Sequence, residues 1–409
     1  MGLNSSTNKQ KIINDPVYGF IKIPYDVIFD LIEHPLLQRL RRIRQLGLTH
    51  FVYPGANHTR FQHAVGAMHL MTLAIEVIRS KGHQITEEEA RAVSIAILLH
   101  DIGHGPFSHS LEQSLIKDTK HESLSLMFME QLNQEFKGKL SLALEIFKNR
   151  YHKKFLHQLV SSQLDMDRLD YLKRDSFFTG VTEGVIGSDR IIKMLNVRDD
   201  QLVVDEKGIY SIEKFLIARR LMYWQVYLHR TVVASEQLLV MMLKRAEALT
   251  AAGHSLFATP ALNYFLQADS KLSLEHFAQL DDNDILASAK NWCNHKDPVL
   301  SLLSEGVVNR KLLAVELADG PFPQDRIKAL RESVARDLSI TAIEAEYLVV
   351  SDSVSNFAYT DMDDRISIMD KNGDTRDIAE ASDMLNIAIL SKTVRKYFLC
   401  YPRNMNELK

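Results

Sequence analysis

Ala96-Ile97-Leu98-Leu99 closes a helix that the sequence predicts over residues 87–100, and it leaves that end of the helix no polar face. A helix that is apolar all round has to be surrounded by protein. The next residues are His100-Asp101, and Gly103, Gly105 and Pro106 then break the helix. The chain must therefore build a packed body around this segment and deliver an ionisable pair into it. A buried aspartate is costly unless it is paired or holds a metal.

The flanking pattern fits a helical body. From about Tyr25 the periodicity is helical for over a hundred residues, and Phe61–Ser80 carries apolar residues at 61, 64, 65, 68, 71, 75 and 78. Further helices are predicted at about 121–136, 153–173 and 211–248. Residues 16–23 alternate and end in Phe20-Ile21-Lys22-Ile23, which reads as a short strand or extended arm. Residues 201–212 read as a small hairpin, with Gln201–Val204 and Ile209–Ser211 as strands around Asp205-Glu206-Lys207-Gly208. After about 337, strand-like segments appear at 345–351, 364–369 and 395–401, with a turn at Lys371-Asn372-Gly373-Asp374. The expectation is a mainly α fold. Residues 1–255 form a helical core with an N-terminal strand or arm and a small hairpin. Residues 256–409 form a smaller α+β region of unassigned role.

A chain of 409 residues can bury a large core, and 25% charged residues is ordinary for a globular protein. The formal net charge of -3 offers no whole-chain basic field for nucleic acid or an anionic membrane. Two distant cysteines, Cys293 and Cys400, imply no disulfide framework and suit a reducing compartment. There is no run of about 18 apolar residues and no apolar signal core, so a cytoplasmic enzyme is expected. Met1-Gly2-Leu3-Asn4-Ser5-Ser6 meets only the loose pattern for N-myristoylation.

His100-Asp101-Ile102-Gly103-His104-Gly105-Pro106-Phe107-Ser108-His109 is the densest polar cluster in an apolar setting. An isolated His-Asp pair is more often a plain helix end with its neighbours in a solvated loop. His63, on the preceding amphipathic helix, would by itself be more often a satisfied core residue than a ligand. Asp165-Met166-Asp167-Arg168-Leu169-Asp170-Tyr171 lies on a later helix, and its bland reading is a salt-bridged surface. Residues two apart on a helix point about 200° apart, so Asp165 and Asp167 cannot both face one ion. With one of those aspartates, His63, His100 and Asp101 make a set of two imidazoles and two carboxylates. Such a set suits Mn, Fe, Zn, Co or Ni and leaves positions for water and a phosphate oxygen.

The order His…His-Asp…Asp resembles the HD-domain phosphohydrolases. Longer stretches are similar to the deoxynucleotide triphosphohydrolase branch: Gln38-Arg39-Leu40-Arg41, Gln45-Leu46-Gly47, Val52-Tyr53-Pro54-Gly55-Ala56-Asn57-His58-Thr59-Arg60-Phe61-Gln62-His63, the His100–His109 run, His121-Glu122, and Asp165–Tyr171 with Arg174-Asp175. The resemblance covers roughly residues 11–235. It selects Asp167 and implies that His63, His100, Asp101 and Asp167 hold one divalent ion per subunit (Fe, Mn, Zn, Co, Ni or Mg). It implies that His104, His109 and His121 surround the phosphates, with one of them moving a proton, helped by Glu122 or Glu112. It implies phosphate contacts for Arg60, Arg168 and Arg219, and sugar hydrogen bonds for Gln45 and Asp175. Leu46, Tyr171 and Tyr227 would pack around the sugar and exclude a 2′-hydroxyl.

The resemblance has departures. Tyr223 and Leu228 replace a histidine and a base-contacting glutamine of the family. Lys11-Ile12-Ile13-Asn14-Asp15-Pro16 matches one strand of the family's nucleotide-activator site, whereas Glu33-His34-Pro35 replaces the stretch that reads guanine. The implied activity is hydrolysis of a deoxynucleoside triphosphate to deoxynucleoside and triphosphate by a homo-oligomer, dimer or tetramer, with a nucleotide activator as a further partner. The alternatives are a phosphohydrolase acting on another nucleotide or phosphate ester, and a non-catalytic nucleic-acid-binding or regulatory protein. The run Arg39-Leu40-Arg41-Arg42-Ile43-Arg44 is the local feature behind the last of these, and acid-paired arginines are its commoner meaning.

Overall fold

The helix around which the rest packs begins at a reciprocal cap. Glu89 N donates to Thr86 Oγ1 (3.1 Å), and Thr86 N donates to the Glu89 carboxylate (2.8 Å). It runs over Glu87–Leu99, and every residue from Val93 to Leu99 is buried. The computed structural model describes residues 11–107, 114–115, 119–267, 271–356, 365–383 and 394–403. Helices make up 58% of it, so the mainly α expectation holds.

The N-terminal half opens with a hairpin, β1 (Ile12–Asp15) and β2 (Gly19–Lys22). There follow α1 (Asp26–Glu33), α2 (Pro35–Arg39), α3 (Arg60–Ser80), α4 (the central helix Glu87–Leu99), α5 (His121–Glu135), α6 (Ser141–Phe147), α7 (Lys154–Val160), α8 (Met166–Thr179) and α9 (Ser188–Met194). Helix α3 lies between α4 and α8. It is long and apolar enough to cross a membrane by length and composition, yet 67% of its apolar window is buried inside the protein. A second hairpin, β3 (Leu195–Arg198) and β4 (Gln201–Asp205), leads into α10 (Ile209–Met222) and α11 (Arg230–Ala251).

The remaining elements are α12 (Pro260–Leu266), α13 (Leu274–Gln279), α14 (Asp282–Trp292), α15 (Pro298–Val308), β5 (Ala314–Ala318), α16 (Gln324–Leu338), α17 (Ala342–Ala345), β6 (Val350–Asn356), β7 (Ser367–Met369), β8 (Thr375–Asp377), α18 (Ile378–Ala381) and β9 (Val394–Tyr401). Strand β7 pairs in parallel with β4, so the later region extends the second hairpin into a sheet of order β3-β4-β7-β8. Strands β5, β9 and β6 make a separate antiparallel sheet. One apolar core runs through both halves, from Ile21 to Cys400.

Four sequence expectations need correction. The second hairpin is 195–205, not 201–212: its turn is Asp199-Asp200, both in the left-handed region (φ 50° and 57°), as a two-residue hairpin turn requires. Ile209–Ser211 instead begins α10. The helix expected over 153–173 is interrupted at 161–165. The helix over 211–248 is interrupted at Tyr223–Tyr227 by one wide turn, closed by Leu228 N donating to Tyr223 O (2.7 Å). The strand expected at 345–351 starts at Val350, because Thr341 and Glu344 cap a short helix before it. The turn at 371–374 is present between β7 and β8, with Gly373 at φ 87°.

Gly66 lets α3 and α8 approach. A Cβ there would lie 2.1 Å from Arg174 Nη2 and 2.1 Å from Asp170 Oδ1. Gly66→Ala should therefore cost about 1–3 kcal/mol of overpacking, read as a lower urea midpoint at unchanged slope. An unchanged midpoint would contradict this packing.

Candidate metal centre and adjoining cavity

Three elements bring four side chains together. His63 sits in the first turn of α3, His100 and Asp101 follow the last residue of α4, and Asp167 lies in the first turn of α8. His63 Nε2 is 3.3 Å from His100 Nε2, 3.1 Å from Asp167 Oδ1 and 3.8 Å from Asp101 Oδ2. His100 Nε2 is 3.4 Å from an oxygen of each aspartate. His63, His100 and Asp101 each offer a ligand atom within 4.8 Å of the others. Ligands at right angles around an ion with bonds of about 2.1 Å are about 3.0 Å apart. The spacings fit that arrangement.

The tautomers fit it as well. His63 Nδ1 donates to Asp170 Oδ2 (2.7 Å), and His100 Nδ1 donates to Ile97 O (2.6 Å). Both Nε2 lone pairs then face each other and two carboxylates. A proton on His63 Nε2 eases that convergence, and a bound cation would replace it. The electrostatics point the same way. Burial opposes the charged form of His63, but Asp167 and Asp170 outweigh it and carry its pKa up to about 10. Burial also opposes both carboxylates, yet Asp101 is held well below the usual range by His100, His104 and Arg60, and Asp167 by His100 and His63.

Asp165 is excluded for a reason other than the one expected. It is not inside the helix but caps it, accepting from Ser162 N (2.8 Å) and Arg168 N (2.7 Å) and pairing with the Arg168 guanidinium. That pairing also turns Arg168 away from a salt-bridged surface. Within the stretch Asp165, Met166, Leu169 and Asp170 are buried, and Asp167, Arg168 and Tyr171 are half-buried.

Arg60 Nη1 donates to Asp101 Oδ2 (2.6 Å), and His104 Nε2 lies 3.3 Å from Asp101 Oδ1. Burial and the Arg60 charge push His104 down to about 3, so it is neutral. Its ring stacks on His121 at 3.9 Å between centroids, and His121 Nε2 is 3.5 Å from the Glu122 carboxylate. His109 and Glu112 lie outside the described residues.

Arg60, which pairs with Asp101, also lines a cavity of about 240 Å³, walled by Gln45, Leu46, Phe107, Tyr223, Tyr227 and Leu228 among others. Tyr227 Oη donates to Asp175 Oδ2 (2.7 Å), and His58 Nε2 holds Asp175 Oδ1 (2.7 Å), so Asp175 stands behind the wall. The Tyr171 ring meets Tyr227 edge-on at 6.3 Å. Burial pushes the Tyr171 phenol up, with the charges of Arg219 and Arg168 acting against it. Gln45 Oε1, His104 Nδ1, Arg168 Nε, and Arg219 Nε and Nη1 are buried without a hydrogen-bond partner. Such groups cost about 1–3 kcal/mol each unless something fills them.

Sequence reasoning missed the residues that hold these walls. Arg39, fully buried, donates to Leu280 O (2.9 Å), Ile102 O (3.0 Å) and His104 O (2.8 Å). Arg42 pairs with Asp281, and Asp282 accepts from Arg44 N (3.0 Å) and Phe107 N (3.3 Å). Burial pushes the Asp282 carboxyl up to about 6. Residues 280–282 therefore tie the 39–45 segment to the 101–107 loop. Arg41 lies over the Phe61 ring (3.5 Å), so the basic run is engaged with the protein. The Asp281…Asp284 capping box was the one local signal of this tie.

Residues 60–175 match the family model described as HD domain, and residues 186–398 match that described as HD associated region. An uncharacterized protein of Bacillus subtilis is 31% identical over 98% of this chain and 94% of its own length. The deoxynucleoside triphosphate triphosphohydrolase SAMHD1 homolog of Dictyostelium discoideum is 33% identical over 55% of this chain. That alignment spans 47% of the homolog, so the shared part is about half of its length. A crystal structure of a phosphohydrolase from Bacteroides thetaiotaomicron is 58% identical, with a TM-score of 0.93 over 96% of this chain and 100% of that one.

Asp167→Ala and His100→Ala should each lose most bound divalent metal while keeping a wild-type circular dichroism spectrum. Full metal retention in both would contradict the ligand set. Because the His63 proton must leave before Nε2 can bind a cation, wild-type metal affinity should strengthen as pH rises from 6 to 9. An affinity independent of pH would contradict that linkage.

Proposed function

The chain belongs to the HD-domain phosphohydrolase superfamily, and from that membership we propose that it hydrolyses deoxynucleoside triphosphates to deoxynucleoside and triphosphate. The observation that carries this reading is the cavity of about 240 Å³ that shares Arg60 with the metal ligands. It sits just below the ~300–1,000 Å³ of small-molecule sites, a size for a sugar and base rather than a polymer. A divalent ion held by His63, His100, Asp101 and Asp167 would supply Lewis acidity at the phosphorus under attack.

The chain's own residues do the rest. Arg60 grips Asp101 with one nitrogen and orients the phosphates along its fork. Arg168 and Arg219 bring the buried, unpaired nitrogens that phosphate oxygens would satisfy. Gln45 Oε1 accepts from the sugar 3′-hydroxyl. Tyr227, fixed by Asp175, packs on the sugar with Leu46 and Tyr171 and leaves no room for a 2′-hydroxyl. Neutral His104, backed by His121 and Glu122, takes the proton that the attacking water loses and passes it to the leaving 5′-oxygen. Water attacks the α-phosphorus, and the bond to the 5′-oxygen breaks. The relatives named as deoxynucleoside triphosphate triphosphohydrolases support this choice of substrate. Assembly as a dimer or tetramer, with a nucleotide activator near Lys11–Pro16, belongs to the same proposal.

The test is product analysis. Mn²⁺-loaded protein incubated with each dNTP, with and without a second nucleotide, should release deoxynucleoside and inorganic triphosphate in equal amounts. Gln45→Ala should lower kcat/KM about tenfold, roughly 1.4 kcal/mol for one lost buried hydrogen bond. Release of orthophosphate from monophosphates, with dNTPs untouched, would move the substrate to another phosphate ester. No turnover of either would sink the triphosphohydrolase reading.

A further inference from the structure

A line of buried charge leaves His63 at Nδ1, while Nε2 faces His100, Asp101 and Asp167. His63 Nδ1 donates to Asp170 Oδ2 (2.7 Å). Arg174 donates to both Asp170 oxygens, Nε to Oδ2 at 2.9 Å and Nη2 to Oδ1 at 3.0 Å. The remaining guanidinium nitrogen, Nη1, donates to Asp15 Oδ2 (2.8 Å) on the N-terminal hairpin. His63, Asp170 and Arg174 are each fully buried, and Asp15 is 4% exposed. The Tyr18 ring packs against the guanidinium, 5.5 Å from centroid to Cζ. Gly66 gives the ion pair its room, since any Cβ there would overlap both partners.

The two Asp15 oxygens have separate partners. Oδ1 accepts from Val17 N (2.9 Å) and Tyr18 N (3.0 Å) and so closes the turn between β1 and β2. Oδ2 takes only Arg174 among the described contacts. A carboxylate used merely to close the turn would not need its second oxygen on a buried arginine 159 residues away in sequence. Arg174 uses all three nitrogens, and its orientation sets that of Asp170. Asp170 in turn sets the His63 tautomer and ring plane, and partners of this kind govern the affinity of a ligating histidine.

We propose that Asp15 is a positioning residue of the metal centre, acting on His63 through Arg174 and Asp170. The N-terminal hairpin is then part of the metal site although none of its atoms reaches the ion. Without Asp15 Oδ2, a buried guanidinium has one unpaired face beside Asp170. Arg174 re-aims, the Asp170 carboxylate follows it, and the His63 Nε2 lone pair leaves its line. This inference rests on His63 being a metal ligand.

Asp15→Asn separates the two jobs of the side chain. The amide oxygen can still accept from Val17 N and Tyr18 N, while the amide nitrogen faces Arg174 with a donor against a donor. The control is Gly19→Ala, which strains the same hairpin at φ 73° and leaves the Asp15–Arg174 pair in place. Both full-length variants and the wild type are titrated with Mn²⁺ under chelator competition, well below their unfolding temperatures, and each apo form is melted. Asp15→Asn should weaken the Mn²⁺ Kd by about tenfold, whereas Gly19→Ala should lower the melting temperature and leave the Kd within about twofold of wild type. A wild-type Kd in Asp15→Asn with a lowered melting temperature would reduce Asp15 to a structural residue and overturn the proposal. Equal weakening in both variants would also overturn it, since hairpin integrity alone would then explain the effect. Failure of the wild-type chain to bind Mn²⁺ would instead overturn the metal centre, and the positioning role with it.

Discussion

Two imidazole lone pairs aimed at each other and at two carboxylates are the arrangement on which the rest of the structure depends. His63 and His100 cannot relax by switching tautomer, because Asp170 and the Ile97 carbonyl hold their other nitrogens. His63 and Asp101 are buried, while the Asp167 side chain keeps 26% of its surface exposed, so the cluster is open on that side. A cation at the centre converts a costly convergence into a binding site. The placement of α3 between α4 and α8, the break after Leu99 and the absence of a side chain at Gly66 all serve that convergence.

The residues after 255 are tied to the same centre. Leu280, Asp281 and Asp282 receive Arg39, Arg42, and the amides of Arg44 and Phe107. They clamp the segment that carries Gln45 to the loop that carries His104. Strand β7 also joins β4 in one sheet, and the core is continuous across the two halves. Two ties therefore hold the site, one through α14 on the cavity side and one through the hairpin and Arg174 behind His63.

The centre was legible in the sequence because burial and ionisability collided there. Ala96–Leu99 had no polar face and His100-Asp101 followed at once, and although such a pair alone reads as a plain helix end, His63 and the 165–171 run changed that reading. Helix periodicity placed His63 on an element of the same body. Asp167 was chosen over Asp165 through family resemblance, and the structure supplies a different reason, since Asp165 is the cap of α8. The missed breaks have a common cause: apolar periodicity carries across a single distorted turn, so 161–165 and 223–229 looked continuous. The Asp199-Asp200 turn was hidden because two aspartates are a weaker hairpin signal than Asn-Gly. The clamp showed locally only as the Asp281…Asp284 capping box. Arg39 and Leu280 lie 241 residues apart, and no local pattern joins them.

X-ray absorption at the metal edge of Mn²⁺-loaded protein tests the central claim most directly. The expected result is one ion per chain, with two imidazoles and otherwise oxygen ligands, all at about 2.1–2.2 Å. A stoichiometry well below one, or a coordination shell without two imidazoles, would contradict a centre built from His63, His100, Asp101 and Asp167.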